Sequence, residues 1–139
     1  MSNITLKKVS IADVAQLQKI GITSFSETFR EYNTPENLNK YLAESFSIEK
    51  LSSEINNTHS EFYLALDEVK NDTNAIGYLK VNFGESQTEL KDSKSFEIER
   101  IYVLKEYQGK DVGQLLYQKA LSNLLFLIIF LFCIFEWVK

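Results

Sequence analysis

The stretch "FEIERIYVLKEYQGKDVGQLLYQKAL", residues 96–121, joins an apolar strand pattern to a helical pattern through a short polar loop. Two of the five glycines in the chain, Gly109 and Gly113, lie at this junction, and Lys110 follows the first of them. Glycine lets a backbone approach a ligand where a Cβ would collide. The first turn of a helix offers unpaired amides and about half a positive charge, which together attract anions. The junction is therefore a candidate pyrophosphate site.

A purely structural explanation of the same residues stays open on spacing alone. Gly109 would then make a turn, Asp111 would cap the helix, and Gly113 would let the helix pack closely on a sheet. Two better-known phosphate loops are excluded, because the chain contains neither G-x-x-x-x-G-K-[ST] nor G-x-G-x-x-G.

The strand pattern that precedes the loop changes face part-way along. Phe96 and Ile98 lie on one face of an ideal strand, whereas Ile101 and Val103 lie on the other. Such a change predicts a β-bulge between Ile98 and Ile101. A bulge would splay the strand from its next neighbour and open a slot in which an extended ligand could pair with free backbone groups.

Length and composition limit the remaining possibilities. The 139 residues suggest one domain, and a net charge of −4 argues against a nucleic-acid partner. The single cysteine excludes an internal disulfide, and with only one histidine, His59, no zinc site is expected. The N-terminal residues lack the apolar segment of a signal peptide, which favours a cytoplasmic location.

Hydrophobic periodicity predicts the element order β-α-α-α-β-β-β-α, a mixed and mostly antiparallel α/β fold. The predicted strands are "NITLKKVS", "EFYLALDE", "AIGYLKVNF" and "SFEIERIYVL". Gly77, within the third strand, is expected to mark a bulge or a close backbone approach. Polar connections are predicted at residues 69–75 and 84–94.

The helices are placed by capping signals. Ser10 with Asp13 resembles a capping box, Thr34 with Pro35 suits a helix start, and Ser47 is a third cap. Gly21 is expected to weaken the first helix or to break it in two.

"IERIYVLKEYQGKDVGQLLYQKAL" resembles motif A of the GCN5-related N-acetyltransferases, the GNAT superfamily, whose signature is [RQ]-x-x-G-x-[GA] after a strand. Gln108 matches its first position and Gly113 its last. The resemblance extends over roughly residues 3–121, and "SETFREYNTPENLNKYLAESFSIEKLSSEI" is most similar to the PaiA-like, polyamine-acetylating branch. The fold implied is the GNAT acyl-CoA N-acyltransferase fold.

The resemblance implies acetyl-CoA as co-substrate and transfer of its acetyl group to a primary amine of a small molecule. The pantetheine arm would pair with the backbone of Ile101, Tyr102 and Val103, and an amide near Val103 would polarise the thioester carbonyl. Glu99, with Glu97 in reserve, would take the proton of the amine directly or through a water. Each could instead be a solvated residue or a partner of Arg100. The loop that would hold the pyrophosphate comprises Gln108, Gly109, Lys110, Asp111, Val112, Gly113 and Gln114.

The chain departs from the family pattern in two places. Asp111 stands where the motif has glycine, and its carboxylate would repel pyrophosphate oxygens. After residue 121 the expected strand, the helix with an "N-x-x-A-x-x-ϕ-Y" type pattern and the closing strands have no counterpart. Residues 1–121 are therefore predicted to form a partial GNAT domain, and residues 122–139 an atypical apolar tail.

The tail has three interpretations. The run "LLFLIIFLFCIF", residues 124–135, is too short to span a bilayer, which needs about 20 residues, so a membrane anchor is disfavoured. It could supply a buried strand, or it could be a frameshift product outside the family's sequence. The last interpretation leaves an open apolar edge suited to a homodimer, and a rival function: a remnant that binds CoA or self-associates without turnover.

Overall fold

The computed structural model describes residues 3–69, 74–88 and 96–137, with side chains described as far as residue 125. Residues 70–73 and 89–94 of the two predicted polar connections lie outside these ranges, as does Ser95 at the start of the fourth predicted strand.

Four strands form one antiparallel sheet in the order β1-β2-β3-β4. They are β1 (Ile4–Lys8), β2 (Ser60–Asp67), β3 (Ala75–Phe83) and β4 (Phe96–Val103). The four strands predicted from alternating patterns are confirmed, and among the described residues β4 is an edge strand whose one partner is β3. One long side of β4 is therefore open.

Three helices lie between β1 and β2, and each begins where a capping signal predicts. They are α1 (Val14–Phe29), α2 (Pro35–Ser45) and α3 (Ile48–Asn56). The Asp13 carboxylate accepts the amide of Ser10 at 2.9 Å. The hydroxyls of Thr34 and Ser47 accept amides of the first turns of α2 and α3. Single 3-10 turns occur at Ile11–Asp13, Arg30–Tyr32, Gly84–Ser86 and Lys105–Tyr107.

Helix α1 is continuous across Gly21, so of the two alternatives, a weakened or a broken helix, the break is wrong. The ring of Phe46 lies against Gly21, where a Cβ would come within 2.5 Å of a ring carbon. The glycine therefore serves helix packing: it lets the junction of α2 and α3 approach the α1 backbone.

The fourth helix, α4, runs from Val112 to Trp137 and crosses the predicted domain boundary at residue 121 without interruption. A buried strand in the apolar run is therefore wrong, because periodicity cannot separate a short apolar strand from a helix and this run has no glycine or proline to end one. None of the helices within the described residues combines the length and apolarity that a membrane crossing requires.

The sheet separates two apolar cores. Helices α1–α3 cover one face, where Leu17, Leu51, Phe62 and Tyr78 are fully buried. Helix α4 covers the other face, where Leu79, Val112 and Leu116 are buried. Because β4 lies at the edge of this sandwich, its free side and the start of α4 meet at one corner of the molecule.

Candidate acetyl-CoA and acceptor site

The predicted bulge lies in β4 at Glu99. Lys80 of β3 is opposite Arg100, but the next residue, Val81, is opposite Ile98, so Glu99 is the additional residue. The apolar face changes sides at this point, as the sequence pattern predicts. Glu99 thus sits where the strand bends.

Beyond the bulge the backbone of β4 alternates between its neighbour and the open edge. The amide of Leu104 donates to the carbonyl of Ile76 at 2.9 Å, which shows which residues of β4 turn their backbone groups towards β3. In an antiparallel pair every second residue exchanges hydrogen bonds with its partner, so Tyr102 faces β3, whereas Ile101 and Val103 face outward. Among the described residues, no strand covers the outward groups. These groups can pair with an extended ligand.

Gly77 holds β3 and β4 in this arrangement. A Cβ at Gly77 would lie 2.7 Å from the Tyr102 carbonyl oxygen and 3.4 Å from the Val103 Cα. The close backbone approach expected at Gly77 is confirmed. A register shift between Ala65 and Leu66 of β2 also places a bulge beside it.

The loop after β4 is shaped by two residues with left-handed backbone. Gly109 has φ +80° and Asp111 has φ +66°. Asp111 is the one described non-glycine residue with positive φ, and aspartate tolerates this region better than most residues. The Gln108 side chain donates to the Val103 carbonyl at 3.2 Å and so ties the loop to the end of β4.

The first turn of α4 presents unpaired amides beside this loop. The first amide bonded inside the helix is that of Leu115, which donates to Asp111 at 3.1 Å. Within the described part of the chain, the amides of Val112, Gly113 and Gln114 have no acceptor. With the helix dipole and Lys110 nearby, the arrangement suits a pyrophosphate, so the loop fits CoA.

Replacing Asp111 by glycine is expected to tighten CoA binding about five- to tenfold. Two unit charges about 4 Å apart repel by about 1 kcal/mol in water and by more near a protein surface. Titration calorimetry with CoA measures the change. Asp111→Asn is the matched control, because it removes the charge but keeps a side chain suited to positive φ. Unchanged or weaker affinity in Asp111→Gly would contradict the repulsion.

A cavity of about 230 Å³ opens beside the bulge. Its walls are aromatic, and its two charged residues come from β4. Tyr41 of α2 stacks on Phe25 of α1 with ring centroids 4.5 Å apart, and Tyr78 stacks on Tyr102 at 5.8 Å. The lining residues are Phe25, Tyr41, Phe46, Tyr78, Glu99, Arg100 and Tyr102. The cavity and the open edge of β4 share Tyr102 and the bulge.

Glu99 is held in a largely buried ion cluster, whose side chains are 6–17% exposed. Its Oε1 lies 3.0 Å from Lys80 Nζ, and its Oε2 lies 2.9 Å from Arg100 Nε. Glu54 of α3 completes the cluster, with Oε1 at 3.1 Å from Lys80 Nζ and 3.3 Å from Arg100 Nη2. The two carboxylates and two cations balance in charge, which allows the group to be buried.

The surroundings keep Glu99 ionised. Burial alone would raise the pKa of Glu99, but the Asn82 hydrogen bond and the charges of Lys80 and Arg100 together lower it below its usual value. Burial raises the pKa of Tyr78 well above its usual value, so that hydroxyl stays protonated. Three donors occupy the Glu99 carboxylate, which has about four acceptor positions, so room remains for one more donor.

Asn82 links the two carboxylates proposed for proton transfer. Its Nδ2 donates to Glu99 and to Glu97, each at 2.8 Å. Glu97 also accepts from the amide and hydroxyl of Thr88, at 3.0 and 2.6 Å, and does not line the cavity. Glu99 is therefore the better placed of the two. It also pairs with Arg100, so the structural role considered for it is present as well.

Sequence reasoning missed several side chains of this site. Lys80 and Asn82 are 5% and 0% exposed, although both are polar. The sequence did offer one signal: Lys80 and Asn82 lie on one face of the apolar run "AIGYLKVNF". Because buried polar groups require partners, this pattern indicates a polar cluster beside the strand. Glu54 and Tyr41 lie on helices far along the chain and gave no local signal.

The model of the acetyltransferase (GNAT) family matches residues 22–128, which is most of the chain. The chain belongs to the GNAT family. It is an acetyl-CoA-dependent N-acetyltransferase with the mixed α/β fold of that family.

Individual relatives of known name are N-acetyltransferases as well. An uncharacterized N-acetyltransferase of Lactobacillus delbrueckii subsp. lactis is 33% identical over 86% of this chain and 67% of its own length. A spermidine N(1)-acetyltransferase of Thermoplasma acidophilum is 25% identical over 85% of this chain and 68% of its own. The crystal structure of PaiA N-acetyltransferase from Thermoplasma acidophilum, in complex with coenzyme A, has a TM-score of 0.72 at 24% identity. That match covers 88% of this chain and 72% of that one.

Proposed function

We propose that this GNAT protein acetylates a primary amine of a small, flexible molecule, with a polyamine such as spermidine as the first candidate. The relative from Thermoplasma acidophilum that is named for spermidine N(1)-acetylation supports this choice. The observation that carries the proposal is the aromatic cavity beside the bulge, which holds one ionised carboxylate, Glu99, next to the open edge of β4.

The cavity has the chemistry that an alkylammonium requires. Aromatic faces attract a cation and also cover methylene groups. The Glu99 carboxylate has capacity for one more donor, so an ammonium would bind it beside its two existing cationic partners, Lys80 and Arg100. A cavity of about 230 Å³ has room for an unbranched chain but for only part of a fused or multi-ring molecule. A slender cationic amine therefore fits better than a bulky one.

Acetyl-CoA supplies the acetyl group as a thioester. The unprotonated amine would form a C–N bond to the carbonyl carbon, the C–S bond would break, and coenzyme A would leave as a thiolate that takes up the second proton lost by the amine nitrogen.

The outward backbone groups of Ile101 and Val103 would hold the pantetheine arm, with the outward amide of Val103 facing the carbonyl. The backbone of Tyr102, which the sequence resemblance also assigned to this arm, is turned towards β3 instead. Residues 108–114 would hold the pyrophosphate. Glu99 would anchor the ammonium and pass on its proton directly or through a water.

The test is a panel of acceptors assayed with acetyl-CoA. Formation of N-acetylspermidine is measured by mass spectrometry, and coenzyme A release is measured with a thiol reagent. The single cysteine, Cys133, gives a background that a reaction without amine subtracts. Putrescine, a free amino acid and an aminoglycoside serve as competing acceptors. We expect spermidine to be acetylated with the highest kcat/KM.

Two results would contradict the proposal in different ways. A higher kcat/KM with the aminoglycoside would overturn the choice of a slender amine. CoA binding without turnover of any acceptor in the panel would favour the rival function of a protein that binds CoA without catalysis.

A further inference from the structure

Tyr107, immediately before the loop, is tied to a distant part of the sheet. Its hydroxyl donates to Asp67 Oδ2 at 2.9 Å, and the two residues are 4% and 5% exposed. Asp67 ends β2, which is separated from β4 by β3. The other Asp67 oxygen accepts the amide of Val69 at 3.1 Å. Both oxygens of this buried carboxylate therefore accept a hydrogen bond, one of them from Tyr107.

The backbone of Tyr107 also organises the loop on either side. Its amide donates to the Leu104 carbonyl at 2.9 Å, at the end of β4. Its carbonyl accepts the amide of Lys110 at 3.3 Å. One residue thus connects the end of the strand, the loop and the far end of β2.

The ring of Tyr107 makes a cation–π contact with Lys110 of the loop. Lys110 Nζ lies 5.2 Å from the ring centroid, a distance at which a cation and an aromatic face attract. Burial of Tyr107 against Val112 and Leu116, in the core beneath α4, fixes the ring. The Lys110 ammonium is thereby held at the Tyr107 ring, in the loop that precedes α4.

We propose that Tyr107 is a positioning residue for acetyl-CoA: its hydrogen bond to Asp67 sets the geometry of loop 108–114, and its ring holds the Lys110 ammonium towards the pyrophosphate. This inference rests on the proposed placement of the pyrophosphate on the loop. Tyr107 touches neither the acceptor nor the reacting carbonyl in this scheme. It acts on affinity for the nucleotide end of the co-substrate, and the acetyl transfer step does not depend on it.

The variant Tyr107→Phe tests the hydroxyl. It keeps the ring, and so the contact with Lys110, but it leaves one Asp67 oxygen buried without its donor. Hydrogen bonds to charged groups are the stronger ones, so we expect CoA affinity to fall about tenfold. Pantetheine, which lacks the pyrophosphate and nucleotide, should bind the variant and the unsubstituted protein equally within about twofold. Titration calorimetry with CoA, and competition with pantetheine, measure both.

Tyr63→Phe is a matched control from the same core. Tyr63 is 5% exposed, and its hydroxyl is hydrogen-bonded to Glu61 and Asn123, away from the loop. Tyr63→Phe removes the same hydroxyl oxygen from a tyrosine of the same core, so we expect the CoA affinity of this variant to be unchanged.

Asp67→Asn is a second test variant. Asparagine keeps a neutral acceptor for the Tyr107 hydroxyl, so we expect CoA affinity to fall about threefold and pantetheine affinity to stay the same. This second variant decides the matter if Tyr107→Phe does not fold.

The outcomes separate the proposals. A selective loss of CoA affinity in Tyr107→Phe and Asp67→Asn supports the positioning role. Equal losses for CoA and pantetheine, or the same loss in Tyr63→Phe, would overturn that role and leave the proposed function intact. Failure of the unsubstituted protein to bind CoA would overturn both.

Discussion

Glu99→Gln is expected to lower kcat for the best amine acceptor by a factor of about 10² to 10⁴, the range typical of general acid–base groups. Glutamine has nearly the same shape but no negative charge, so it can neither anchor an ammonium by charge nor pass on its proton. CoA affinity should stay within about twofold, because the β4 backbone and the loop after it provide the CoA contacts. Steady-state kinetics and titration calorimetry separate the two effects.

Glu97→Gln is the matched control for this change. Glu97 shares the Asn82 donor with Glu99 but does not line the cavity, so its substitution should reduce kcat by less than about tenfold. A larger loss in Glu97→Gln than in Glu99→Gln would transfer the proton-accepting role to Glu97. Full activity in both variants would exclude a carboxylate of β4 as the group that handles the proton.

Lys80→Met is expected to lower the free energy of unfolding by about 3–5 kcal/mol, the cost of breaking a buried ion pair by removing one partner. Lys80 is 5% exposed, and its ammonium lies within 3.1 Å of both Glu54 and Glu99. Methionine fills similar space but leaves two carboxylates facing one guanidinium, that of Arg100. Urea denaturation followed by circular dichroism measures the loss.

Lys7→Met provides the control for a surface pair. Lys7 lies 2.8 Å from Asp13, but its side chain is 52% exposed, so its removal should cost less than about 1 kcal/mol. The double variant Lys80→Met/Glu54→Gln restores the charge balance and should recover part of the loss. A loss in Lys80→Met no larger than that in Lys7→Met would show that the cluster does not stabilise the fold.

Much of the fold followed from local patterns. The change of apolar face between Ile98 and Ile101 located the bulge, because side chains alternate strictly along a strand. The caps at Thr34 and Ser47 located the starts of α2 and α3, since these side chains accept first-turn amides. Features that depend on a few adjacent residues were thus predictable.

The errors arose where distant contacts override local preference. Gly21 weakens an isolated helix, but the ring of Phe46 occupies the space that the missing side chain leaves. The apolar run after residue 123 suits a strand or a helix equally on composition, and the structure continues α4 through it.

The candidate site was only half predictable for the same reason. The loop from Gln108 to Gln114 lies in one continuous segment and carries a motif. The acceptor cavity is assembled from α1, α2, β3 and β4. Its carboxylate Glu99 is paired with Lys80, which in turn is paired with Glu54 of α3, 45 residues before Glu99. Such a constellation exists only after the chain has folded.

The backbone amides of β4, which point alternately towards β3 and towards solvent, should also differ in their rates of hydrogen–deuterium exchange. The inward amides of Tyr102 and Leu104 are shielded by β3 and should exchange slowly, whereas those of Ile101 and Val103 face solvent and should exchange rapidly. Exchange rates measured residue by residue would then alternate between fast and slow along the strand. Saturating coenzyme A should slow exchange at Ile101 and Val103 and leave exchange at Tyr102 and Leu104 unchanged. These four neighbouring amides would therefore report binding of coenzyme A along the open side of β4, without any turnover.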